Sequence, residues 1–224
     1  MKYISFLMAV FIILFSNPAS TYVTKGYKWP QANTVIHVNI PGGDGLWNEA
    51  FETAMLRWSE TTNFRFRIVR DSFVDPCRDP NDGRAKNGVK FSDDFCGIDW
   101  SDQVIASTIN WIINDTNEII QTGVVFNGKK EWDVYSGLWW ENPYFKINDF
   151  RRIAVHELGH CIGLGHENSV KSVMDGQGGD VEYPTVDDIA GVNFLYPVSA
   201  NISNSNGSGG GYGGGCFIAV INGD

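Results

Sequence analysis

The sequence predicts an α+β domain, and three observations predict it. Trp47, Ala50, Phe51, Ala54, Met55 and Trp58 recur at helical spacing, and directly after them Phe64-Arg65-Phe66-Arg67-Ile68-Val69 alternates apolar and charged, as a half-buried strand does. Two β-rich runs, residues 104–113 and 118–126, are joined by Asn114-Asp115-Thr116-Asn117, a hairpin signal. A further helical pattern opens at Phe150 behind Asn148 and Asp149, either of which can cap it. The chain has 224 residues, 43 % of them hydrophobic and 13 % aromatic, enough for one domain with a real core.

Taken in order, the chain starts outside that core. Lys2 precedes a nearly unbroken apolar run, residues 4–15, and small residues follow in Asn17-Pro18-Ala19-Ser20. Residues 1–20 read as a secretory signal peptide cut near residue 19 or 20. The run is shorter than the roughly 20 residues that cross a bilayer, so no transmembrane span is expected in the mature chain. Residues 34–40 are strand-like and contain His37, read as a polar residue on a sheet face. Pro41-Gly42-Gly43-Asp44-Gly45 is a loop, and residues 47–61 form the first helix, packed on a sheet.

Residues 70–102 are irregular, with Pro76, Pro80 and an Asn81-Asp82-Gly83 turn; Val89-Lys90-Phe91 is a short strand candidate. Asp93, Asp94, Asp99 and Asp102 are candidate calcium ligands, against the plainer reading of a solvated loop. The 104–126 hairpin puts a strand near the edge of the sheet, where an extended peptide can pair main chain to main chain. Residues 127–148 hold Trp132, Tyr135, Trp139, Trp140 and Tyr144, which either pack under the domain or line a cleft. Thr185 caps a last helix that Pro197 ends, with Asp187 and Asp188 in its first turn, where the helix dipole favours acids. The domain is thus expected over residues 21–198. Residues 199–224 read as a Gly/Ser/Asn-rich flexible tail with a short apolar end that begins at Cys216.

A net charge of −9 argues against a nucleic-acid partner. Export permits disulfides. A Cys77–Cys96 bridge would close a loop worth roughly 3 kcal/mol by chain entropy. Cys161 reads as a small buried hydrophobe, because a helical neighbour of His160 points about 100° away from it.

The chemistry gathers in His156-Glu157-Leu158-Gly159-His160-Cys161-Ile162-Gly163-Leu164-Gly165-His166, which holds three of the chain's four histidines. Residues four apart share a helix face, about 5–6 Å apart at Cβ, so His156 and His160 can address one ion. Gly163 can end the helix in the left-handed region and let His166 close the site from the other side. Three neutral imidazoles and an open fourth position suit catalytic zinc. Glu157 beside them is the candidate general base.

This pattern, with Met174 following in Ser172-Val173-Met174, resembles the metzincin metallopeptidases, and within them the matrixins. The resemblance runs over residues 25–197 and includes Asp187-Asp188-Ile189-Ala190-Gly191 and Leu195-Tyr196. It implies a metzincin-like catalytic domain: a twisted, mostly parallel five-stranded sheet with an antiparallel edge strand, plus three helices. It implies zinc on His156, His160 and His166, Met174 as a hydrophobic base under them, and a specificity wall near Tyr183-Pro184. The activity implied is a secreted, monomeric endopeptidase of the extracellular matrix type. It would hydrolyse protein or peptide laid along a sheet edge, with zinc-bound water activated by Glu157. The alternative is a non-catalytic zinc-stabilised extracellular binding or adhesion domain. The tail also resembles those of exported bacterial proteins processed or attached at the cysteine, which would make the protein cell-surface associated. Glu167 resembles the astacins instead, but Leu164 and Gly176 stand where those proteins carry Phe and Tyr, so no tyrosine ligand carries over. The Pro-Arg-Cys-Gly switch of animal matrixins is not in this sequence; Asp75-Pro76-Cys77-Arg78 lies inside the domain.

Overall fold

The structure, a computed structural model, describes residues 21–139 and 147–198 and the backbone of 217–223. Residues 1–20, read as a signal peptide, and Trp140, Tyr144 and the 199–216 stretch with Cys216 lie outside these. The main sheet is built from β1 (Asn33–His37), β2 (Arg65–Val69), β3 (Gly88–Ser92), β4 (Ala106–Ile113) and β5 (Glu118–Asn127), in the order β2-β1-β3-β5-β4. All neighbours are parallel except β4, which runs antiparallel to β5. This is the five-stranded sheet with one antiparallel edge strand that the resemblance implies. Three helices accompany it among the described residues: α1 (Leu46–Thr61), α2 (Phe150–Ile162) and α3 (Val186–Leu195).

One strand was not expected. β6 (Phe217–Gly223), the apolar end read as part of a tail, pairs antiparallel with β4 as a sixth strand. Its partner lies more than a hundred residues earlier, so nothing local in the sequence announces it. Val89-Lys90-Phe91, a slight signal in the sequence, proves to be the middle of β3, the link between β1 and β5.

The helical spacing of α1 turns Phe51, Ala54, Met55 and Trp58 fully inward. Burying side chains as large as Phe51 or Met55 contributes roughly 1.5–3 kcal/mol each. Trp58 also donates its indole N–H to the Val155 carbonyl of α2 at 2.8 Å, which pins the two helices together. Phe150, the first residue of α2, fills the space between α1 and the sheet against Phe51, Phe91, Phe126 and Trp132. Trp132 therefore packs under the domain.

β4 is covered on both faces, and its polar Thr108 and Asn110 are buried with side-chain hydrogen bonds to Glu157 and the His160 carbonyl. On the face away from α2, a second cluster gathers Phe95, Ile109, Trp111 and Val125. The segment that supplies it is closed by the predicted Cys77–Cys96 disulfide. Among the described residues no helix is long and apolar enough to cross a membrane.

Candidate functional site

Helix α2 carries the site. Asp149 caps it, its carboxylate accepting from the Arg151 amide at 3.2 Å. The carbonyls of its last turn, which a helix leaves without partners, are all engaged. Gly159 and His160 accept from the Gly163 amide, and Gly159 also from Leu164. His160 accepts further from the Asn110 amide group at 3.1 Å, Cys161 from the Trp29 indole at 2.8 Å, and Ile162 from the Tyr196 hydroxyl at 2.7 Å. The same Tyr196 oxygen accepts from the Trp29 amide.

Gly163 ends the helix at φ 114°, and a Cβ there would strike the Tyr27 carbonyl. No other residue satisfies both demands. The chain then turns back beside the N-terminal segment. Lys25 donates to Gly163 O at 2.9 Å and Gly165 to Val23 O at 2.8 Å, an antiparallel clasp that fixes the turn and delivers His166.

His156, His160 and His166 converge as the spacing predicts. They form the one group among the described residues with three candidate metal-ligating side chains, their ligand atoms all within 4.8 Å. His156 Nδ1 lies 2.6 Å from Val173 O, and His160 Nδ1 lies 2.8 Å from Leu164 O. Carbonyl oxygens only accept, so both Nδ1 atoms carry the proton and both Nε2 atoms present lone pairs. His160 Nε2 sits 3.2 Å from His156 Nε2 and 3.1 Å from His166 Nε2. Nitrogens this close are held either by a proton shared between two rings or by a cation among all three. Tetrahedral zinc with Zn–N near 2.0–2.1 Å would separate neighbouring nitrogens by about 3.3 Å, so the donor set fits this ion.

Met174 packs against the histidine helix at Gly159. A side chain at Gly159 would overlap the Met174 sulfur and crowd Trp58, so glycine lets the Met174 turn reach the helix. That turn is held from α3. Asp188 is buried and its carboxylate takes Ser172 Oγ, the Val173 amide at 3.1 Å, and the amide and hydroxyl of Thr185, each at 2.7 Å. Asp188, the inner partner of Thr185 in the capping box of α3, thus also holds the segment whose carbonyl orients His156. The sequence reading credited Asp188 only with a dipole contact. The Thr185-x-x-Asp188 spacing of a capping box was the available signal.

Glu157 is fully buried, and its carboxylate accepts from the Thr108 hydroxyl of β4 at 2.5 Å. Thr108 was missed in the sequence because a threonine in a strand carries no local mark of a partner 49 residues away. Cys161 is buried as expected, and burial pushes its thiol up to about 12.

Beside His156 lies a cavity of about 210 Å³, lined by Gln103, Ile105, Trp139, Ile153 and residues 175–178 among others. Among the described residues, Trp139 is the aromatic of the 127–148 loop that reaches it. Tyr183 does not line it; its ring lies under the Arg57 guanidinium, 3.9 Å from the centroid, and its outer side faces solvent. The expected wall near Tyr183-Pro184 is therefore supplied by residues 175–178.

A cationic cluster fastens that wall. Glu182 is approached by Arg57 at 3.7 Å, Arg151 at 3.5 Å and Arg152 at 3.4 Å. Arg152, buried, also donates to Gly137 O at 2.7 Å and Gly179 O at 3.3 Å and pairs with buried Asp149 at 3.5 Å. Burial raises Asp149 above the usual carboxylate range, partly offset by Arg152 and Arg151. Burial, then Arg151, lowers Arg57.

Other candidates stay apart. His37 pairs with Asp71 at 2.8 Å on the far strand. Asp93, Asp94, Asp99 and Asp102 form no group of three among the described residues, and Asp94 accepts from the Gly97 amide within its own turn.

The chain is similar in sequence to known metalloproteinases. The chain is 26 % identical to metalloendoproteinase 5-MMP of Arabidopsis thaliana over 193 residues, 82 % of this chain and 48 % of that protein. It is 31 % identical to metalloendoproteinase 1 of Glycine max over 85 residues, 33 % of this chain and 25 % of that protein. It is 41 % identical to macrophage metalloelastase of Oryctolagus cuniculus over 61 residues, 25 % of this chain and 13 % of that protein. The chain spans about half the length of the first of these relatives and less of the others. The sequence pattern of the family described as Matrixin matches residues 43–197, from the loop before α1 to just past α3. With its histidine helix, its methionine turn and that match over most of its length, the chain belongs to the matrixin family.

Proposed function

We propose that the chain is a secreted zinc endopeptidase. The observation that carries this reading is the convergence of three imidazole nitrogens, next to a buried glutamate, on a cavity that His156 lines. His156, His160 and His166 would hold the ion. Zinc bound there supplies Lewis acidity, which acidifies water and polarises a carbonyl. Glu157 takes the proton of the attacking water and returns it to the leaving amide nitrogen. The Thr108 hydroxyl, donating to one carboxylate oxygen of Glu157, holds it in one rotamer for that transfer. The substrate is a peptide lying beside residues 103–106, with one side chain in the cavity lined by Trp139 and 175–178. Secretion is supported by the Lys2-led apolar run and by the Cys77–Cys96 disulfide, a bond of oxidising compartments.

The test is Glu157→Gln. Cleavage of a peptide library is expected to fall on the order of 10²–10⁴-fold, with the zinc content of the purified protein unchanged. Cleavage undiminished in the variant would overturn the mechanism.

A further inference from the structure

The edge strand beside the site is already taken. From Phe217 opposite Ile113 to Gly223 opposite Ser107, β6 covers β4 along nearly its whole length. Thr108, whose hydroxyl holds Glu157, lies opposite Asn222. Just upstream of Ser107, Ile105 and Gln103 line the cavity next to His156. The described β6–β4 pairing thus reaches to the residues beside the cavity.

A strand edge offers one row of outward amides and carbonyls, and two strands cannot share it. A peptide lying along β4 can run beside residues 103–106, but beyond Ser107 it needs the ladder groups that β6 occupies. We propose that the chain's own C-terminal strand is a displaceable occupant of the peptide groove. It limits how far an extended peptide can run along β4, and it yields to a competing strand. The occupant is assigned in cis, since the pairing joins two strands of one chain. The effect on cleavage rests on the endopeptidase reading; the occupancy of the edge does not.

The test compares the full chain with the double variant Ala219→Pro, Val220→Pro. Successive residues of a strand alternate in which neighbour their amides face, so prolines at both positions delete a β6–β4 ladder bond whatever the phase. Hydrogen exchange at the β4 amides that face β6 is expected to speed by on the order of tenfold or more in the variant, with α2 unchanged. Free Phe-Ile-Ala-Val-Ile-Asn-Gly peptide at millimolar concentration is expected to restore the protection. Equal β4 protection in both forms overturns the proposal. A concentration-dependent dimer of the full chain that the variant lacks overturns the cis assignment, because the strand then comes from a second copy. In cleavage assays, peptides long enough to run past Ser107 should gain roughly tenfold in kcat/KM in the variant, while short peptides stay level. An unchanged long-to-short ratio, with loss of β4 protection demonstrated, overturns the blocking role. If neither form cleaves any peptide, the endopeptidase reading fails, and hydrogen exchange still decides where the strand sits.

Discussion

The two halves of α2 fasten the same neighbouring segment, residues 173–182, by opposite means. The first half uses permanent charge: Arg151 and Arg152 reach Glu182, Asp149 and the carbonyls of Gly137 and Gly179. The second half uses neutral imidazoles: His156 holds the Val173 carbonyl and turns its lone pair toward those of His160 and His166. The charged half is held by ion pairs and hydrogen bonds within the chain. The histidine half brings three ring nitrogens together, where a cation would be held. One end of the cavity wall is thus expected to be set by folding alone, and the other to be tightened by the metal.

This contrast can be broken at either end. The largest effect is expected from the histidine end. His160→Ala should abolish zinc binding and peptide hydrolysis. Chelation of the wild type should lower its stability by about 4 kcal/mol when free zinc had stood a thousandfold above its dissociation constant. Hydrogen exchange in the chelated protein should rise around 163–176 and stay level around 135–139 and 179–182. A uniform rise would mean that the halves are not independent.

Arg152→Met attacks the other end. It leaves Asp149 buried without its cation and should cost about 3 kcal/mol by urea unfolding, with zinc content retained. Replacing Asp149 as well, by leucine, should recover part of that loss, since removing both charges spares the desolvation penalty.

A control lies outside both halves. Removing the disulfide by Cys77→Ser with Cys96→Ser should cost roughly 2–3 kcal/mol. Its effect should add to that of Arg152→Met, because the two sites share no partner. The smallest change sharpens the histidine end. Asp188→Asn weakens the hold on Ser172 and Val173 and should cost about 1–2 kcal/mol in thermal unfolding. It should weaken zinc binding as well, because the Val173 carbonyl that orients His156 is loosened.

What the sequence disclosed follows the same division. His156, His160, Gly163 and His166 were legible because their spacing is a helix period followed by a left-handed stop. Asp149 was legible as a cap, and α1 and the β4–β5 hairpin as local patterns. The partners of those residues were not legible. Thr108 meets Glu157 across 49 residues, and Arg152 meets Glu182 across 30. Such pairings depend on how layers stack, which leaves no periodic trace in either segment. β6 is the extreme case, since its apolar run resembles any short chain end until β4 is placed next to it. The Tyr183 expectation failed for a related reason. Arg57 captures that ring from α1, a contact that spacing along the chain cannot reveal.

Tyr196 carries a consequence for handling the polypeptide. Its hydroxyl receives the Trp29 amide and donates to Ile162 O, so one oxygen joins the entry segment, the end of the histidine helix and the last turn of α3. Excision of this unit, or fusion of another domain behind it, has to respect that residue. A boundary drawn at Leu195 would strand two buried partners, the Trp29 amide and the Ile162 carbonyl, whereas a boundary after Tyr196 keeps the knot tied.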